Sequence, residues 1–145
     1  MYKKITGVLY LLLSGCSLFP HSKDDLLSTG IASPEYCLAQ GREQVEERVQ
    51  AYLNHCFHPQ NIALPNGGII VNSIRLKVDK TAENTDMVLF GPTIYGDQYY
   101  MNIVVSEKNT NCKTTMTAVA SGWSFQRNFE KLVESAKGED PWCPL

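Results

Sequence analysis

Four cysteines, Cys37, Cys56, Cys112 and Cys143, lie far apart in a chain of 145 residues, and that spacing constrains the available folds more than any other feature. No two stand in the Cys-x-x-Cys arrangement of a compact zinc site, so the thiols are expected to meet across the fold as disulfides. Whether they oxidise depends on the compartment, and a fifth cysteine sits in the segment that sets it. Lys3 and Lys4 precede an uncharged, mostly apolar run from Ile5 to Leu13, followed by the small residues Ser14 and Gly15 and then Cys16. That is the layout of a secretory signal. As a helix the run rises about 13.5 Å, under half of a ~30 Å hydrocarbon core, so it is an export signal and not a spanning anchor.

The tetrapeptide Leu13-Ser14-Gly15-Cys16 resembles the lipobox of bacterial lipoproteins. The resemblance covers the signal region alone. It implies cleavage before Cys16, a thioether-linked diacylglycerol on its sulfur and an acyl chain on the new amino terminus. The residue types suit that chemistry, because small side chains let a peptidase approach the backbone and a thiolate is nucleophilic enough to accept lipid. At ~0.8 kcal/mol per buried CH₂, two or three acyl chains hold a protein on a bilayer far longer than one. Ser17 stands where an Asp would resemble the inner-membrane retention signal of enteric bacteria, so the expected address is the outer membrane, facing the periplasm.

Lipidation of Cys16 leaves an even number of cysteines in an oxidising space, and two disulfides are expected. Residues 17–33, broken by Pro20 and Gly30 and without sustained periodicity, look like a flexible tether reaching at most ~55 Å. The expected organisation is therefore a signal peptide over 1–15, a lipidated cysteine and tether over 16–33, and one domain over 34–145.

Ser33-Pro34-Glu35 suits a helix start, and Leu38, Val45, Val49, Tyr52, Leu53 and Cys56 then recur on one stripe until His58-Pro59. Arg42, Glu43, Glu46 and Glu47 fall on the opposite side, expected to be a solvated face. After a loop holding Pro65-Asn66-Gly67-Gly68 the period changes to two, with Ile74, Leu76 and Val78 alternating with Arg75, Lys77 and Asp79. Further strands are expected over 86–90, 98–106 and 112–120, joined by short turn-rich segments into an antiparallel meander. A last helix fits 124–137, with Gly138 to end it. The expected fold class is α+β, a two-layer sandwich of helix, four-stranded antiparallel meander and helix.

In that arrangement Cys37 and Cys56 sit about 28 Å apart along one helix and cannot bond each other. The strand directions favour Cys37 with Cys112 and Cys56 with Cys143. The pairing of Cys37 with Cys143 and Cys56 with Cys112 stays open as the alternative.

Catalytic candidates are few. His55, Cys56 and His58 are close in sequence, but adjacent positions at a helix end do not face one point, and no metal site is expected. Glu43, Glu46, Glu47 and Asp97 could form an acid and base pair only if something desolvated them, which an exposed helix face does not do. No Gly-x-Ser-x-Gly elbow, phosphate-binding glycine loop or His-Glu-x-x-His motif is present, so neither enzymatic activity nor a cofactor is expected. The remaining candidates are aromatic. Tyr95, Tyr99 and Tyr100 gather at one hairpin, where adjacent Tyr99 and Tyr100 take opposite faces, while Trp123 and Trp142 flank the last helix.

Removing Lys3 and Lys4 from 13 basic side chains leaves 11 against 15 acidic ones, a net of −4, which gives no electrostatic basis for binding nucleic acid. The expectation is a membrane-anchored periplasmic module that contacts an envelope protein or polymer without catalysis. A carrier or sensor of a small apolar molecule is one alternative. An inhibitor of an envelope-directed hydrolase is another, with 91–97 as its contact loop.

Overall fold

A computed structural model of the chain describes residues 19–108 and 111–144; the expected signal peptide and Cys16 lie outside them. The sheet grows from period-two runs. β5 (Arg75–Lys80), β6 (Asn84–Thr93), β7 (Gly96–Glu107) and β8 (Thr114–Ala120) pair antiparallel with their chain neighbours. Met87 and Leu89 on β6, Met101, Ile103 and Val105 on β7, and Met116 on β8 point to one face and are fully buried. Alternation along a pleated strand puts these residues on one side, each contributing about 1.5–3 kcal/mol when buried.

Two helices cover that face. α2 (Arg42–Cys56) inserts Val45, Val49, Tyr52 and Leu53, and α4 (Asn128–Lys137) inserts Phe129, Leu132 and Ala136. They lie antiparallel, as the Tyr52 hydroxyl donates to Asn128 Oδ1 at 2.7 Å and, about one turn away, Ser135 Oγ donates to the Arg48 carbonyl at 3.0 Å. Gly138 ends α4 in the left-handed region at φ +99°, a conformation in which a side chain would be strained. The helical period that runs through 124–137 is interrupted at Arg127, so a separate short α3 (Trp123–Gln126) precedes α4.

The expected sandwich of two helices on a four-stranded meander is incorrect. The main sheet has six strands, because β1 (Ile31–Ala32) and β2 (Tyr36–Leu38) both pair with the outer edge of β8. A separate two-stranded sheet is built from β3 (Gln60–Ala63) and β4 (Ile69–Asn72), on either side of the turn holding Pro65-Asn66-Gly67-Gly68, where a loop is expected from the sequence. The described part of the chain is largely β. The physical reason lies at β8: left as an edge, its backbone donors and acceptors would be unpaired. The segment 31–38 satisfies them, so helix α2 begins at Arg42 and not near Ser33.

The tether also needs correction. α1 (Lys23–Thr29) packs on the opposite face of the sheet, with Leu26 fully buried. Lys23 forms an ion pair with Asp86, which in turn accepts from Asn102 Nδ2 at 2.6 Å. At Gly30 the chain passes so close to the sheet that a Cβ would stand 2.6 Å from Val119 Cγ1 and 2.6 Å from the Leu26 carbonyl. The sheet therefore carries helix on both faces. Among the described residues no helix is long and apolar enough to cross a membrane.

Candidate functional site

The open groove between the β1–β2 edge and the α3–α4 segment, about 650 Å³, is the strongest candidate. Two exposed indoles line it. Trp123 opens α3 and is 70% exposed, and Trp142 lies in the tail beyond α4 and is 62% exposed. Each ring has a cation over it: the Arg127 guanidinium at 5.8 Å from the Trp123 centroid, and Lys131 Nζ at 5.5 Å from that of Trp142. These contacts hold the rings by attraction between a cation and the negative face of the indole. Lys131 is held further by both carboxylate oxygens of Glu134, at 2.9 and 2.8 Å.

The tail stays in place because Cys143 bonds Cys56 at the end of α2, with an S–S distance of 2.04 Å and Cα atoms 5.4 Å apart. A disulfide thus positions one wall of the groove. The second bridge joins Cys37 on β2 to Cys112 just before β8, with an S–S distance of 2.06 Å. It clips the edge strand to the end of the strand it pairs with.

Along the opposite wall, Ser33 fills the gap between β1 and β2. Its N–H donates to the Ala118 carbonyl at 2.8 Å, while its hydroxyl accepts from the Ala118 N–H at 2.9 Å. Pro34 follows and has no N–H to offer, so this edge is blunted against addition of a further strand. Tyr36 contributes its ring, and burial together with the nearby Glu130 carboxylate raises the pKa of its hydroxyl. The groove therefore presents flat aromatic faces beside fixed charges. It suits a ligand that stacks and accepts hydrogen bonds at its rim.

No protein-family model, curated protein or solved structure matches this chain.

The other sequence candidates separate in space. Cys56 is in its disulfide, His55 is exposed, and His58 Nδ1 lies 2.9 Å from the His55 carbonyl. Among the described residues no three His, Cys, Asp or Glu side chains converge on a common point. Tyr99 stacks on Phe90 at 5.9 Å, whereas Tyr100 stacks on Phe125 at 5.1 Å against the core. Tyr100 is the additional residue of a β-bulge, because Leu89 faces Met101 while Phe90 faces Tyr99. Tyr95 lies at the hairpin tip, 79% exposed.

Glu43 and Glu47 are solvated, but Glu46 is not. It is only 2% exposed, and its carboxylate meets Arg42 Nε at 3.0 Å, Lys80 Nζ at 2.8 Å and the Thr85 hydroxyl. Burial pushes its pKa upward, but the hydrogen bonds from Lys80 and Thr85 and the charges of Lys80 and Arg42 outweigh that and hold the carboxyl below its ordinary value. The cluster ties α2 to the β5–β6 turn and leaves no oxygen free to act as a base. Reading the sequence missed Arg127, Lys131 and Tyr36 in the groove. The visible signal for Arg127 and Lys131 is their four-residue spacing in line with Trp123, whereas Tyr36 shows none.

Proposed function

We propose that this protein is a lipoprotein of the bacterial cell envelope, anchored through acylated Cys16 and probing its surroundings with the Trp123–Trp142 groove as a non-catalytic interaction module. The observation that carries the reading is the pair of tryptophans that line one groove and are left 70% and 62% exposed, each held by a cation. Large aromatic surface is costly to leave in water unless a partner covers it, and Trp and Arg are enriched at the centres of such contacts. Two disulfides that close loops of 75 and 87 residues support an oxidising address. They use every cysteine except Cys16, the one in the lipobox-like tetrapeptide. Ser17 supports sorting to the outer membrane.

The partner is an envelope protein or polymer, and two experiments test the reading separately. Radiolabelled palmitate should enter the wild-type protein and not the Cys16→Ser variant; label on the variant refutes the anchor. For the groove, the unlipidated domain is titrated against purified cell-wall polymer and against detergent-extracted envelope protein while tryptophan emission is followed. Trp123→Ala and Trp142→Ala should each weaken the association about tenfold or more. Retained affinity in both variants refutes the groove.

A further inference from the structure

The described chain joins the folded body within a few residues of Cys16, which a free tether would not do. Phe19 already packs edge-on against Tyr100, with ring centroids 5.9 Å apart, and the Pro20 carbonyl accepts from the Tyr99 N–H at 2.9 Å. From there the chain runs to Lys23, which pairs with Asp86 opposite Val104 in the sheet register. The course from Pro20 to Lys23 thus follows β7 away from its hairpin tip, so Pro20 is the end of this segment nearer the tip. Three residues lie between Cys16 and Pro20, so the two are at most about 14 Å apart along the chain. From Tyr99 to Tyr95 the hairpin extends a comparable ~13 Å beyond the same point.

The tip has unusual chemistry for a turn. Thr93 and Gly96 close the hairpin around Ile94 and Tyr95, with the Thr93 hydroxyl accepting from the Tyr95 N–H at 3.2 Å and Gly96 supplying the positive φ. Hairpin tips favour Gly, Asn and Asp, yet here two large apolar side chains stand 90% and 79% exposed. The β3–β4 hairpin, with Ile69 and Val71 exposed, joins the sheet at the same end, where Ser73 Oγ donates to the Pro92 carbonyl at 3.4 Å. An isoleucine and a tyrosine suit the boundary between acyl chains and headgroups, where amphipathic rings concentrate.

We propose that the tip of the β6–β7 hairpin, Ile94 and Tyr95, is a second membrane contact that dips into the headgroup region of the bilayer carrying acylated Cys16. This rests on the lipid-anchor reading. The two contacts act as hinge and stop, holding the sheet at a set orientation with the β5–β6 turn pointing into the aqueous space. Asp97, exposed two residues beyond Tyr95, limits the depth to the interface.

The test uses the full chain, lipidated in cells and reconstituted in vesicles of phosphatidylethanolamine and phosphatidylglycerol with brominated acyl chains. Trp123→Phe and Trp142→Phe remove the native indoles. A reporter is then placed at Ile94→Trp or at Glu83→Trp, the latter exposed at the opposite end of β6, about 30 Å away. The I94W emission should fall about twofold and shift to the blue, while that of E83W stays as it is in unbrominated lipid. A vesicle-bound chain whose I94W emission is unquenched overturns the tip contact, leaves the anchor standing and makes the tip available to a protein. Equal quenching at both positions overturns the orientation. A mass showing no lipid on Cys16 removes the anchor and, with it, this proposal.

Discussion

Replacing Cys37 and Cys112 together by alanine tests the link between fold and compartment most directly. The bridge closes a loop of 75 residues, and the entropy it removes from the unfolded chain corresponds to about 4.5 kcal/mol at 25 °C. For a domain of roughly 125 residues, with an unfolding entropy near 2.1 cal/mol/K per residue, that loss lowers Tm by roughly 15–20 °C. The second bridge spans 87 residues, but the two loops overlap, because Cys56 lies inside the first and Cys112 inside the second. With the first bridge intact, the shortest path from Cys56 to Cys143 is only about 50 residues, so the second closure adds about 4 kcal/mol. Together they amount to about 8–9 kcal/mol, comparable with the 5–15 kcal/mol net stability of an ordinary domain. The fully reduced chain is therefore expected to be largely unfolded at 37 °C. Urea titrations followed by far-ultraviolet circular dichroism measure each step, and the m-value should rise as the unfolded chain expands. A C37A/C112A protein that loses under about 1 kcal/mol with an unchanged m-value refutes the loop-closure reasoning.

Three further outcomes follow from the packing. Glu46→Gln should cost about 2–3 kcal/mol at neutral pH, because it removes charge-assisted bonds from Arg42, Lys80 and Thr85 at a buried site. Since the carboxyl is held below its ordinary value, its contribution is complete above about pH 4.5 and is lost as the pH falls through the depressed value; acid titration of the variant should lack that component. Leu26→Ala should cost about 2–4 kcal/mol in urea, whereas a change in a free tether would cost nothing measurable. Burial, with Glu134 nearby, pushes the Tyr52 hydroxyl up to about 12. Its unfolded counterpart ionises near pH 10, so the stability it contributes is complete below pH 10 and is lost as the pH rises towards 12. Tyr52→Phe should flatten that alkaline limb in stability measured against pH.

Periodicity carried the local information. The alternation from Ile74 to Asp79, the apolar stripe of Val45, Val49, Tyr52 and Leu53, and the glycine at 138 are each settled within a few residues, because strand and helix geometry repeat over that distance. β1 and β2, two and three residues long, are too short to display a period, and they are strands only because β8 offers an unpaired edge. α1 is a single seven-residue helix whose burial follows from Asp86, Val119 and the bend at Gly30, all remote in the chain or invisible without neighbours. Glu46 has the spacing of a solvated position, and it is buried because the β5–β6 turn folds Lys80 and Thr85 onto it.

The candidate site divides in the same way. Trp123 and Trp142 are conspicuous as residues, but their lining of one groove requires the tail to double back and bond Cys56. By itself the sequence determined the order of two lysines, a short apolar run and the tetrapeptide Leu13-Ser14-Gly15-Cys16, the even set of remaining cysteines and the period of each long element. Tertiary structure decided the number of strands, the covering of both sheet faces, the burial of Glu46 and the groove, since each depends on contacts between segments whose separation along the chain leaves no trace in any local pattern.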